Sequence, residues 1–144
     1  MSTSTDIAQI TYPQSDGQPM ADNTKQIRWI VTIQGGLDAL FRADSPVFVA
    51  DDLLWYPVEG RSDMCMAPDV LVAVGRPKGD RGSYLQWEEG GIAPQVVFEI
   101  RSPGNTLAKA CSRMCNLRFN DLTSSSLISI HLSVTRACPR HCGS

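Results

Sequence analysis

Ala67-Pro68-Asp69-Val70-Leu71-Val72-Ala73-Val74-Gly75, read with Pro94-Gln95-Val96-Val97-Phe98-Glu99-Ile100 downstream, decides how this chain folds. Each stretch holds a short apolar run, rich in β-branched residues and too short for a helix. Such runs predict buried strands. Each also carries one acid at its margin: Asp69 opens the first run and Glu99 lies near the end of the second. Gly75 closes the first, and Ser102-Pro103-Gly104 closes the second. Pro46-Val47-Phe48-Val49-Ala50 predicts another buried strand, which Leu53-Leu54-Trp55-Tyr56 continues beyond Asp51-Asp52.

Working outward, residues 1–22 form a lead-in rich in turn formers, with Tyr12-Pro13, Ser15-Asp16-Gly17 and Pro19. Asn23 or Thr24 can cap a helix. Ile27, Ile30, Val31, Leu37, Leu40 and Phe41 then recur at helical spacing and predict the face that packs on the core. Gly35-Gly36 weakens that helix by about 1 kcal/mol per glycine relative to alanine, so a kink is expected there. One helix followed by consecutive strands predicts a mixed α+β (α/β) architecture.

The 144 residues suit one domain with a hydrophobic core. Hydrophobic content of 42% with 19% charged residues excludes a disordered chain. No apolar stretch approaches the roughly 20 residues that span a bilayer. The N-terminus lacks the basic-then-apolar pattern of a secretory signal. A cytoplasmic protein is expected.

Net charge is −2, but its distribution is lopsided. Residues 1–99 hold fourteen acids and seven Lys or Arg, a balance of −7; residues 100–144 hold one acid and six Lys or Arg, a balance of +5. Cys65 stands alone, whereas Cys111, Cys115, Cys138 and Cys142 crowd the end of the chain.

Phosphodiester hydrolysis needs charge neutralised on the phosphate and a nucleophile made from water, and Mg²⁺ serves both. This hard cation prefers carboxylate and carbonyl oxygens. If the two strands pair suitably, Asp69 and Glu99 can reach one ion, with the Ile100 carbonyl as a further ligand. The spacing alone also fits a turn aspartate bonded to nearby backbone and a glutamate at a solvated strand end.

The surrounding blocks narrow this. Phe48 to Gly60, Ala67 to Val72, Gly75-Arg76-Pro77-Lys78-Gly79-Asp80-Arg81-Gly82-Ser83-Tyr84, and Pro94 to Ile100 followed by Ser102 to Thr106 resemble the Uma-two family of restriction-type endonucleases. That family belongs to the PD-(D/E)xK nuclease superfamily, and the resemblance covers about residues 10–108. It implies a restriction-endonuclease-like core, a mixed β-sheet flanked by helices, which cuts DNA with Mg²⁺. Asp69 matches the first metal carboxylate and Glu99 the second. The superfamily's lysine would stand two positions after Glu99, where this chain has Arg101. Arginine stays protonated and can hold a phosphate but not accept a proton. In the Uma-two family the lysine tends to come from the helix after the Ser-Pro turn, where this chain offers Lys109 and Arg113. A homodimer is implied by analogy with enzymes that pair to cut two strands.

The resemblance stops at about residue 108. An endonuclease-like domain over 1–108 is therefore expected to precede a divergent, basic, Cys-rich tail over 109–144, leaving the fold incomplete at the C-terminus. Leu127 to Val134 alternates well enough for one strand. The coincidence with the charge flip suggests a frameshift. Alternatively, Cys111, Cys115, Cys138 and Cys142 with His131 and His141 could supply zinc ligands. Three functions follow: an Mg²⁺-dependent DNA endonuclease or its inactive descendant, a non-catalytic nucleic-acid or protein-binding module of the same fold, or a small zinc protein. The cations of Arg76 to Arg81 could contact a DNA backbone or lie in a solvated loop. Reading the gene in the shifted frame past codon 108 is expected to restore a family-like continuation; a continuation that stays unlike the family removes the frameshift.

Overall fold

A computed structural model describes residues 10–21, 23–43 and 46–101, together with the backbone of residues 128–133. Among these residues the helix α1 (Thr24–Leu40) precedes β1 (Val47–Asp51), β2 (Trp55–Tyr56), β3 (Val70–Val74), β4 (Tyr84–Leu85), β5 (Val96–Arg101) and β6 (Ile128–Ser133). The architecture is mixed α+β, as the element pattern predicts. The main sheet has the order β1-β3-β5-β6. Its first three strands are antiparallel neighbours, and β6 pairs with β5 in parallel. The strand expected over 127–134 is thus β6. The helix expected after Thr106 lies outside the described residues.

β3 sits inside the sheet and is covered on both faces, so its sequence is continuously apolar and does not alternate. Leu71 and Ala73 join Phe48, Val97, Trp55, Met64, Met66 and Tyr84 in the cluster on one face. Val70 and Val72 join Val47, Val49, Ile100 and Ile30 of α1 in the cluster on the other.

Asn23 caps α1, its Oδ1 accepting from the N–H groups of Lys25 and Gln26 at 3.1 and 3.0 Å. The helix then runs through Gly35-Gly36 to Leu40. Its inward face differs from the predicted one. Gln26 and Ile30 are buried, and Ile33, Leu37 and Phe41 pack on the same cluster. Ile27, Val31 and Leu40 are 39%, 53% and 68% exposed. At 3.6 residues per turn, Ile27 and Val31 rotate to one flank of the 26-30-33-37 stripe and Leu40 to the other.

The segment after β1 also departs from expectation. Asp52 adopts a positive φ of 45° and turns the chain away, so Trp55-Tyr56 does not extend β1. It pairs in parallel with Tyr84-Leu85 in a separate two-stranded sheet.

Between β3 and this small sheet, the loop cations are held internally. Glu89 accepts from Arg76 Nε at 2.7 Å and from Arg81 Nε at 2.5 Å. The Arg81 guanidinium lies 3.9 Å over the Phe48 ring and also donates to the carbonyls of Gly79 and Pro77. Lys78 Nζ donates to the Val47 carbonyl at 3.1 Å.

Burial alone would push the Glu89 carboxyl up, but hydrogen bonds from Arg81 and Arg76 outweigh it and hold the group below the usual glutamate range. A group with a depressed folded value contributes its stability above the unfolded value, near pH ~4.3, and loses it as pH falls through the folded one. Glu89→Gln is expected to lower the unfolding free energy at neutral pH by about 3 kcal/mol, because two arginines lose a buried partner. Urea melts at neutral and acidic pH check this, and the variant's stability should fall less steeply than the wild type's below pH ~4.3.

Candidate active site

The site is built where the ladder between β3 and β5 ends. The paired residues are Val72↔Val96, Leu71↔Val97 and Val70↔Phe98. One step further, Asp69 falls opposite Glu99; a second step sets Pro68 opposite Ile100. Proline has no N–H, so Pro68 has none to give the Ile100 carbonyl. Two side chains take over the Ile100 peptide groups. Asp69 Oδ2 accepts from the Ile100 N–H at 2.6 Å, and Gln26 Nε2 donates to the Ile100 carbonyl at 3.1 Å. The Asp69 carbonyl in turn accepts from the Asp52 N–H at 3.3 Å. Asp69 therefore ties β5 to the turn after β1 as well as opening β3.

Asp69 and Glu99 are only 4% and 6% exposed. Both follow the alternation of Leu71, Ala73 and Val97, so they lie on the sheet face away from α1. Burying two carboxylates side by side is costly unless cations or hydrogen bonds compensate. Arg101, at the end of β5, shares that face by the same alternation. It is partly buried, and among the described residues its enclosed Nε has no hydrogen-bond partner. By this register the sequence-predicted residues Asp69, Glu99 and Arg101 share one sheet face, with Arg101 two residues beyond Glu99 along β5. Ile100 is adjacent, and its carbonyl, offered as a metal ligand, already accepts from Gln26 on one of its two lone pairs. Lys109 and Arg113 lie outside the described residues.

Sequence reasoning missed Gln26. The signal was a polar residue in the i, i+4, i+7, i+11 register of Ile30, Ile33 and Leu37, which marks a side chain with a buried partner. The cations of Arg76 to Arg81, read as one possible DNA contact, are instead engaged with Glu89, Val47 and the loop's own carbonyls. For the zinc reading, no group of three or more His, Cys, Asp or Glu side chains able to hold a metal occurs among the described residues. Cys111, Cys115, Cys138, Cys142 and His141 lie outside them. His131 is described by backbone only, as the register partner of Glu99. No described helix is long and apolar enough to cross a membrane.

Among solved structures, the chain is similar to one described as "a putative nuclease belonging to DUF820" from Anabaena variabilis. The two share a fold. The TM-score is 0.54 at 16% identity, over 81% of this chain and 60% of that one. The chain thus spans about three-fifths of the length of that nuclease, and identity this low carries the architecture alone. No protein-family model matches the chain, and no curated protein does.

The bond to Ile100 changes how Asp69 is to be tested. Asp69→Ala removes the acceptor of a buried N–H and is expected to cost about 2 kcal/mol of stability. Asp69→Asn keeps an amide oxygen for that bond and is expected to recover most of the loss. Thermal melts of the two variants beside wild type read this directly; equal melting temperatures for both variants would show that the carboxylate, not the hydrogen bond, carries the effect.

Proposed function

We propose that the protein is an Mg²⁺-dependent DNA endonuclease of the restriction type, built on a PD-(D/E)xK-like site. The observation that carries this reading is the pairing of two buried carboxylates, Asp69 and Glu99, on one sheet face at the end of a ladder. Two hard anionic oxygen donors from adjacent strands suit Mg²⁺, and the free lone pair of the Ile100 carbonyl adds a neutral oxygen. When bound, the ion would neutralise phosphate charge and lower the pKa of a water. The similarity to a DUF820 nuclease supports the reading, since DUF820 and Uma-two designate one family.

The protein's own groups have separable roles. Asp69 and Glu99 supply negative charge where the ion would be held. Arg101, with its Nε unpartnered, offers a guanidinium to a phosphate oxygen. It cannot serve as a general base, so the proton of the attacking water must pass to a carboxylate or to solvent. Where the family's lysine tends to stand, this chain offers Lys109 and Arg113.

One observation favours a second reading, a non-catalytic nucleic-acid-binding module of the same fold. Asp69 has a structural task in bonding Ile100, which would keep it in place without turnover. Supercoiled-plasmid cleavage separates the two. With Mg²⁺, wild type is expected to nick plasmid, while Asp69→Asn and Glu99→Gln lose at least about a hundredfold in rate and keep their fold. A folded wild type that binds DNA but leaves plasmid intact at all Mg²⁺ concentrations would favour the binding module.

A further inference from the structure

α1 presents a second chemically distinctive surface. Lys25, Arg28, Trp29 and Thr32 line one shallow open cleft on its outer side, away from the stripe that packs on the sheet. The Trp29 indole is 48% exposed. Lys25 and Arg28, three residues apart, are neighbours on the helix surface. Among the described residues neither forms an ion pair, in contrast to Arg61, Arg76 and Arg81.

The arrangement works against the helix. No acid stands in the first turn of α1, and Lys25 sits where the helix dipole is positive. A cation there costs a few tenths of a kcal/mol to about 1 kcal/mol. The backbone amides at this end are not the attraction, because Asn23 Oδ1 already takes those of Lys25 and Gln26. An anion bound here must be held by the side chains. An exposed indole beside two unpaired cations matches a ligand that alternates phosphates with flat aromatic faces.

The helical turn that carries the cleft also touches β5. Gln26 belongs to the same helical turn as Lys25, and its bond to the Ile100 carbonyl docks that turn against the strand end that carries Glu99 and Arg101. Paired bases hide their faces in the duplex, so stacking on Trp29 requires an unpaired one.

We propose that Lys25, Arg28, Trp29 and Thr32 form a docking site for single-stranded nucleic acid, with the indole stacking one base and the two cations holding flanking phosphates. This rests on the nuclease reading and gives its substrate an unpaired segment.

The test is binding of a fluorescein-labelled oligothymidylate to the full chain in EDTA, where no metal-dependent cleavage intervenes. Wild type is expected to bind, and Trp29→Ala to weaken binding about tenfold, the low end of one lost base stack. The Lys25→Ala/Arg28→Ala double variant is expected to lower the slope of log K against log salt by about 1.4, two single-strand phosphates at ~0.7 each. A duplex should bind without sensitivity to Trp29→Ala. All three positions are exposed, and circular dichroism melts confirm that the variants stay folded. The proposal is overturned if Trp29→Ala binds oligothymidylate like wild type, if duplex shows the same Trp29 dependence, or if sedimentation without nucleic acid shows a dimer that Trp29→Ala dissociates. A folded wild type that binds oligothymidylate but leaves plasmid intact with Mg²⁺ counts against the nuclease reading and leaves this one standing.

Discussion

One peptide group organises the molecule. The Ile100 N–H is held by Asp69 and its carbonyl by Gln26, both inside the protein. These bonds join three elements, because Gln26 belongs to α1, Asp69 leads into β3 and Ile100 lies in β5. They exist because Pro68 ends ordinary strand pairing at that point. Apolar contact alone would allow α1 to slide on the sheet, since dispersion and burial are not directional. A buried amide must be hydrogen-bonded, and that requirement restricts where the first turn can sit. The same bonds set Asp69 and Glu99 side by side, so the geometry of the carboxylates and the seat of the helix are one constraint.

Charge in this protein divides by use. Arg76 and Arg81 converge on Glu89, and Lys78 reaches the β1 backbone, which closes the loop after β3 on itself. Lys25 and Arg28 face solvent on α1, and Arg101 keeps an enclosed Nε without a partner beside the carboxylates. A basic loop in sequence is therefore structural here, while the cations suited to phosphate are dispersed and individually unremarked. Net charge, nearly balanced at −2, conveys none of this.

The three main strands were legible because each is buried on at least one face and rich in β-branched residues, and a buried strand has little else it can be. Asp69 and Glu99 were legible as a pair because carboxylates at the margins of such runs are conspicuous. The inward face of α1 was misread because the helix is apolar on more than one side, so composition could not choose between Ile27-Val31 and Ile33-Leu37. β2 and β4 escaped because two-residue strands carry no period, and the turn at Asp52 depends on a backbone angle that its side chain tolerates without demanding. Gln26 and Glu89 were hidden for another reason: their partners are 74 residues away for one and are arginines that looked solvent-facing for the other.

The parallel pairing of β5 with β6 bears on how the protein comes to be folded. β1, β3 and β5 are antiparallel neighbours within the first 101 residues and can assemble as soon as that much chain exists. β6 is separated from β5 by residues 102–127, so its docking must close a loop whose entropic cost rises with length. During synthesis the outer edge of β5 waits, unpaired, while the last quarter of the chain is made. An open edge of that kind recruits strands from other molecules. Until β6 docks on it, the edge of β5 is therefore a route to association between copies of the chain.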